Sequence, residues 1–392
     1  MRAAKLLTGL LALGLMLPVA GAIRKEGRYW IEEKESSVPA GTKLRITSIG
    51  PVLVAGGSDN NIRFKVTRRV RANTQREAEQ LFADASLTAA LQNETTVISQ
   101  EDPHCRRCNF SAYLEVFPPR RTQQTVIDSE GGSLTVRALE GRVNASTRGG
   151  AVTIEEIGRS VRANTAGGGM FLRSIGGEVL CDTAGGVISL DGSGSDATLT
   201  TSGGSITARN VTGILRAETA GGSITAEKIG GSLIAETSGG SIHISDVAGR
   251  VSAETAGGSV NITSAPGGVR AETTGGKINL RDVAGAVVAS NVTGSIQVYF
   301  LQGQPLQGSV LETNVGSIDV WLPADLKVTI EAIVELANGA RRIQSDFAAI
   351  RVRQNSERFG PTSVTADGAL NGGGPVLRIL NTAGRIKIQR LE

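Results

Sequence analysis

Residues Gly221 to Ser238 read Gly-Gly-Ser-Ile-Thr-Ala-Glu-Lys-Ile and then Gly-Gly-Ser-Leu-Ile-Ala-Glu-Thr-Ser. The two nonapeptides are near copies, and together they make an 18-residue unit that recurs through the middle of the chain. Stepping by nine from Gly132 to Gly294, glycine fills 17 of 19 positions; only Arg159 and Ser195 break the column. A fixed short period means stacked supersecondary units, none of which can bury its apolar face alone.

Counting from the second glycine, the first nonapeptide carries apolar residues at plus two (Ile206, Ile224, Ile242, Val260) and plus four (Leu190, Ala208, Ala226, Ile244). Side chains alternate along a strand, so both columns share one face. A further apolar column at plus seven (Ile157, Ile175, Val211, Ile229) is expected to plug the corner. The second nonapeptide repeats the logic with Val or Leu at plus two, alanine at plus four (Ala217, Ala235, Ala253), and a threonine ladder at plus six from Thr147 to Thr273. Large Ile and Leu facing small Ala let two sheets interdigitate across a thin core. The expected fold is all-β: a β-solenoid with two short strands per 18-residue coil, nine coils making a rod roughly 43 Å long at about 4.8 Å per coil. Glycine at the corners is expected to supply positive φ and to let neighbouring backbones approach. An antiparallel zigzag of hairpins would use the same turns; the stacking of identical residues favours the solenoid.

Outside the period, Arg2 and Lys5 precede an apolar stretch from Leu6 to Val19 and a small-residue site at Ala20-Gly21-Ala22, the pattern of a removable export signal. This gives four segments: a signal peptide at 1–22, an N-terminal β-rich cap region with one helix at 23–130, the solenoid at 131–300, and a C-terminal β region closing it at 301–392. In the cap, strands are expected at Leu44–Ile49, Val52–Ala55, Ile62–Arg68, Thr95–Ser99 and Ser111–Phe117. A helix is expected from Thr74 to about Gln92, opened by the capping box of Thr74 and Glu77. After Gly294 the pattern returns at Leu311 to Val320, followed by longer strands at Val328–Val334 and Val376–Leu391, with a tight connection at Gly372-Gly373-Gly374-Pro375.

The chain has 41 basic and 37 acidic residues, and removing the signal leaves 39 against 37. A near-neutral mature chain gives no electrostatic case for nucleic acid as a partner. The pairs Arg68-Arg69, Arg106-Arg107, Arg120-Arg121 and Arg341-Arg342 read as solvated edges. After the signal, no stretch is apolar for long enough to be a transmembrane segment. The expected location is outside the cytoplasm: periplasm, cell surface or secreted.

No residue pattern points to catalysis, a cofactor or a metal. A calcium-binding nonapeptide roll needs Gly and Asp where this repeat has Ile and Ala, so its columns lack the oxygens calcium requires. Glu218, Glu236, Glu254 and Glu272 form an outward ladder, one per coil, with Arg216, Arg250 and Arg270 on the same face to offset their repulsion. That reads as a solvated ladder. Ser205, Thr207, Ser223, Thr225 and Ser241 form a flat hydroxyl face, a candidate surface for a glycan or a protein, although solubility chemistry is the plainer reading. His243 sits in that column as an exposed bystander. In His104-Cys105-Arg106-Arg107-Cys108, an exported Cys-x-x-Cys reads first as a local disulfide, with labile thiols or a metal ligand as alternatives. Cys181 stands in a buried alanine column and reads as a small core residue.

The chain resembles the bacterial putative adhesin domain family, an exported β-strand-repeat domain of unknown function. The likeness lies in Leu44-Arg45-Ile46-Thr47-Ser48-Ile49-Gly50, in the Ala-Glu-Thr-x-Gly-Gly-x-Ile repeats, in Val320-Trp321-Leu322-Pro323-Ala324-Asp325, and in Asn371-Gly372-Gly373-Gly374-Pro375-Val376-Leu377-Arg378-Ile379. It covers nearly the whole mature chain and implies surface adhesion, with no catalytic residues to carry over. The functional expectation is a non-enzymatic adhesin or cell-envelope scaffold binding through a flat solenoid face. The alternatives are a carbohydrate-active enzyme on a β-solenoid, which needs a cleft lined by Glu218 to Glu272, and a periplasmic sensor or assembly component.

Overall fold

Within the repeat, from Leu134 to Val283, strands that follow one another in sequence do not pair; each pairs in parallel with the strand 18 residues further on. Leu134 stands beside Val152, Val152 beside Met170, Met170 beside Ile188 and Ile188 beside Ile206, so the plus-two column of the first nonapeptide runs straight through one sheet. The second nonapeptide builds the opposite sheet in the same way, through Val143, Val161, Val179 and Ala197. This is the β-solenoid and not the hairpin zigzag. The computed structural model describes residues 22–391 apart from 104, 106–107, 337–341 and 356–361, so the expected signal segment up to residue 21 lies outside the described residues.

The core is the thin layer between the two sheets. Ile206, Ala208, Ile224, Ala226, Leu215, Ala217, Leu233 and Ala235 are each at most 1% exposed, so both inner faces are dry. About 11 turns run without interruption, roughly 53 Å at about 4.8 Å per turn. The rod exceeds the nine-coil expectation because flanking strands outside the strict period join the stacks. Gln124–Ser129 pairs with Arg142–Thr147. The long strand Ser309–Leu322 contributes to both sheets, beside Val287–Thr293 in one and Ile296–Phe300 in the other.

Corner chemistry differs from the expectation in one respect. In the turns before the first nonapeptide, a Cβ on Gly150, Gly168, Gly186, Gly204, Gly222, Gly240 or Gly258 would lie 2.0–2.1 Å from the preceding coil's carbonyl oxygen, so close approach does require glycine. None of these glycines has positive φ, which within the glycine column falls on Gly132, Gly285 and Gly294, towards the two ends of the repeat. Positive φ falls instead on the plus-six residue of the first nonapeptide: Glu156, Ser174, Asn210, Lys228, Asp246, Ser264 and Asp282, with φ of 53–59°. One left-handed residue there reverses the alternation, so that Ile157, Ile175, Val211 and Ile229 turn inward at plus seven and fill the corner. The second turn is less tight within the repeat: a Cβ on Gly177, Gly231, Gly249 or Gly267 would meet its nearest backbone atom at 2.4–2.9 Å. Both breaks in the glycine column, Arg159 and Ser195, fall in that looser turn.

Each threonine of the ladder is buried and ties two coils together. Thr219, Thr237, Thr255 and Thr273 donate to the carbonyls of Gly204, Gly222, Gly240 and Gly258, all at 2.8 Å. Towards the C-terminus the column continues with Asn291, whose amide donates to Gly276 O at 3.2 Å, and Asn381, which donates to Gly316 O at 3.0 Å.

Both ends are covered by excursions of the chain. Lys43–Ser48 and Val52–Ala55 form a coil, the chain leaves, and it returns to stack Gln124–Ser129 and Leu134–Leu139 on that coil. The excursion lays Thr95–Gln100 and Ser111–Phe117 on the coil's outer edges. At the other end Val376–Arg390 pairs along Ser309–Leu322, and Val328–Val334 and Ile343–Ser345 cover its far edge. A parallel stack otherwise exposes unpaired strand edges that template end-to-end growth.

The cap helix is shorter than expected, Gln75–Asp84. Its start holds: Thr74 Oγ1 accepts from the Glu77 amide at 3.2 Å, and Glu77 accepts from the Asn73 amide at 2.8 Å. Its expected last third, Leu87–Gln92, is instead a strand paired antiparallel with Thr95–Gln100 across a turn at Asn93, whose φ is 55°. Ladder bonds to a neighbouring strand outweigh the helical pattern there. Arg68 is also not a solvated edge. It is 1% exposed and ion-paired to Glu32, and it donates to Ala85 O at 2.6 Å beneath Phe82. Lys34 reaches the other Glu32 oxygen at 3.0 Å.

Candidate functional site

The coils between residues 150 and 212 depart most from the repeat. In the left-handed column, Gly192 replaces a side chain; in the buried plus-seven column, Ser193 replaces an aliphatic residue and turns its hydroxyl to the carbonyls of Gly177 and Ser195 at 3.1 and 3.0 Å. Removing both side chains from one coil opens the corner. A groove of about 520 Å³ runs along it across several coils. Gly158, Gly176 and Gly194 lie along it, Glu156, Ser174 and Asn210 stand beside them, and Arg120 and Glu140 line it as well. The volume is in the range of small-ligand sites, although the groove is open rather than enclosed.

Beside the groove lies the outer face of the first sheet. Arg137, Glu155, Arg173, Asp191, Arg209 and Glu227 follow one another in register, alternating in sign. Arg173 pairs with Glu155 at 2.9 Å, Arg209 with Glu227 at 3.2 Å, and Asn210 donates to Asp191 at 2.7 Å. Opposite charges one coil apart cancel, so this face carries little net field. In the adjacent outward column Phe171 is 45% exposed between Thr153 and Ser189, and Val187, also 45% exposed, lies close by. Towards the C-terminus the charge column passes into a stack, with Arg281 over Tyr299 at 5.3 Å and Tyr299 parallel to Trp321 at 4.0 Å.

The residues expected to form a hydroxyl face lie on this same sheet, one coil apart, beyond Ser189. Thr207 and Thr225 are register neighbours, half-buried, followed by exposed His243. Ser205, Ser223 and Ser241 already serve the turn: their oxygens accept the amides of Ser223, Ser241 and Ser259 at 3.2–3.3 Å. Glu218, Glu236, Glu254 and Glu272 stack on the opposite sheet. Arg216 pairs with Glu218 and reaches Glu236 at 3.8 Å, and Arg270 pairs with Glu272 at 2.5 Å. None of the four glutamates lines the groove.

Cys105 and Cys108 belong to a satellite core of Val70, Ala72, Ala78 and Phe82. Cys108 Sγ donates to Cys105 O at 3.3 Å, and burial together with the neighbouring Cys105 thiol pushes its pKa up to about 11. Burial also raises Cys181, which is fully enclosed in its alanine column. His104, Arg106, Arg107 and Arg341 lie outside the described residues.

Sequence reasoning missed Phe171 and the Gly192-Ser193 notch. Both were legible as intruders in otherwise uniform columns. Arg120 carries no such signal, because it reaches the groove from the cap region.

The architecture defines a class, the capped β-solenoids, and comparison with known proteins adds little to it. No family model matches the chain, and no curated protein does. Among solved structures, the chain is similar to a putative cell adhesion protein from Clostridium sporogenes, 8% identical over 92% of this chain and 100% of that one, with a TM-score of 0.20. It is also similar to a putative adhesin from Bacteroides fragilis, 12% identical over 92% and 97% of the two chains, with a TM-score of 0.23. Likeness at this level carries no argument about what the chain does. Among the described residues no helix is long and apolar enough to cross a membrane.

Proposed function

We propose that this chain is an exported, non-catalytic binding rod, an adhesin or cell-envelope scaffold that engages a glycan or protein through one side of its solenoid. One observation carries the reading: the departures from an otherwise strict repeat gather in neighbouring coils, where they open a groove beside an exposed aromatic ring. A repeat selected for stacking alone would not need them there. The expected hydroxyl residues Ser205, Thr207, Ser223, Thr225 and Ser241 extend the same face along the rod.

The test is binding of the mature protein to arrays of glycans and extracellular-matrix proteins, beside a variant carrying Thr207→Lys and Thr225→Lys and another carrying Ser174→Lys. Saturable binding weakened by either variant supports the reading. Absence of binding to every feature on both arrays removes it. One observation favours a second reading, a carbohydrate-active enzyme: the groove holds Glu140 and Glu156 together with Arg120. Release of reducing ends from any bound glycan, abolished by Glu156→Gln, would establish that reading instead.

A further inference from the structure

Phe171 is out of place by its chemistry. The outward column it occupies is otherwise polar through Thr135, Thr153, Ser189, Thr207 and Thr225, and a large aromatic left half in water forfeits part of its burial energy. Its surroundings fit it. A Cβ at Gly169 would come within 3.3 Å of the ring's Cε2 and of Val187 Cγ2, so ring and valine converge over a position kept open by glycine. The result is an apolar plate formed by Phe171, Gly169 and Val187 on the outer face of the rod.

The plate's rim is polar but uncharged in sum. Thr153 and Ser189 stand one coil away on either side, about 4.8 Å each. Arg173, two residues along the strand, is held by Glu155 at 2.9 Å, and Asp191 by Asn210 at 2.7 Å. An apolar plate ringed by hydroxyls and mutually neutralised charges complements a neutral ring that has one C–H face and a hydroxyl edge. A peptide ligand would seek an open strand edge, and these strands are paired on both sides. The groove begins at Ser174, three residues and about 10 Å from the plate, within reach of the next sugars of a short chain.

We propose that Phe171 is the stacking platform for the C–H face of a neutral pyranose, with the rest of the oligosaccharide entering the corner groove. The proposal rests on the reading of the rod as a binding scaffold and names the ligand class for it. The experiment is calorimetric titration of the mature protein with neutral hexasaccharides (β-1,4-linked glucose, mannose and N-acetylglucosamine, and α-1,4-linked glucose), repeated with Phe171→Ala and Phe171→Tyr. At least one hexasaccharide is expected to bind. Phe171→Ala should weaken it tenfold or more, and Phe171→Tyr, which keeps the ring, should stay within about threefold. Any fall in unfolding temperature should be small, because the ring is 45% exposed and lies outside the buried columns. Equal affinity of the alanine variant, or equal losses in both variants, overturns the platform. Binding to a matrix protein with no binding of any hexasaccharide overturns the platform and leaves the scaffold reading standing. Failure to bind sugars and matrix proteins alike removes both.

Discussion

The hydroxyl of Thr237 donates to the carbonyl of Gly222 at 2.8 Å, fifteen residues earlier, while accepting the amide of Gly240 at 3.3 Å. One side chain thus closes its own turn and bonds to the coil beneath, and the same arrangement repeats up the rod. Because the site is buried, Thr237→Val leaves a carbonyl without its partner and should cost about 1–3 kcal/mol. Thr237→Ser keeps the hydroxyl and should cost less. Urea denaturation compares the two; equal losses would show that the methyl group, not the hydrogen bond, matters.

Substitution at the two kinds of corner should have opposite signs. A Cβ on Gly240 would lie 2.0 Å from Gly222 O, so Gly240→Ala should destabilise by about 3 kcal/mol, the upper end of overpacking. Lys228, with φ of 59°, is strained in the left-handed region. Relief of about 1–2 kcal/mol there, less the entropy cost of glycine of about 0.5–1 kcal/mol, leaves Lys228→Gly stabilising by about 0.5–1 kcal/mol. Thermal melts of both variants decide this, and a loss of stability in Lys228→Gly would contradict it.

The Arg68–Glu32 pair anchors the cap to the helix end at Ala85. Arg68→Ala leaves the buried Glu32 carboxylate with Lys34 as its one remaining cation and should cost about 3 kcal/mol, whereas the double variant Arg68→Met with Glu32→Leu should recover most of it. Hydrogen exchange should place the loss in the cap and leave the solenoid amides protected.

Two raised thiol pKa values set an alkaline limit. Folding holds the Cys108 proton up to about 11 against an ordinary 9.0, and Cys181 is shifted in the same direction. The folded state therefore binds the proton more tightly. The contribution is complete below about pH 9 and is lost as pH rises through 11. The reduced protein should lose denaturation midpoint between those values, and a Cys108→Ala, Cys181→Ala variant should lose less.

The local disulfide expected at Cys105 and Cys108 has its own assay. Glutathione disulfide should take two hydrogen atoms from the pair, release two glutathione thiols and lower the mass of the peptide by two hydrogen atoms, while Cys181 stays reduced until the protein is unfolded. A glutathione adduct persisting at Cys105 would count against closure.

Much of the fold was legible because a solenoid makes distant neighbours periodic. Val161 meets Val179 only because both occupy the same place in successive 18-residue units. The helix end was not legible: Leu87 to Gln92 carries a plausible helical pattern, and only Thr95–Gln100 alongside makes it a strand. The candidate site was half legible. Phe171 stood in a column already known to face outward, whereas Arg120 enters the groove through an aperiodic excursion.

The sequence by itself determined the period, the buried columns, the threonine ladder and the paired glutamates, since each depends on register within one repeating unit. The tertiary structure alone decided three other features. In the regular coils, closing the corner placed positive φ on Glu156, Asn210 and Lys228 rather than on the glycines of the preceding turn, because a reversal of side-chain alternation is needed there to bury plus seven. The fold buried Arg68 by bringing Glu32 to it from 36 residues away. It also made a groove from small residues whose effect appears only when their coils lie side by side, because a cavity is a property of what neighbouring coils leave empty.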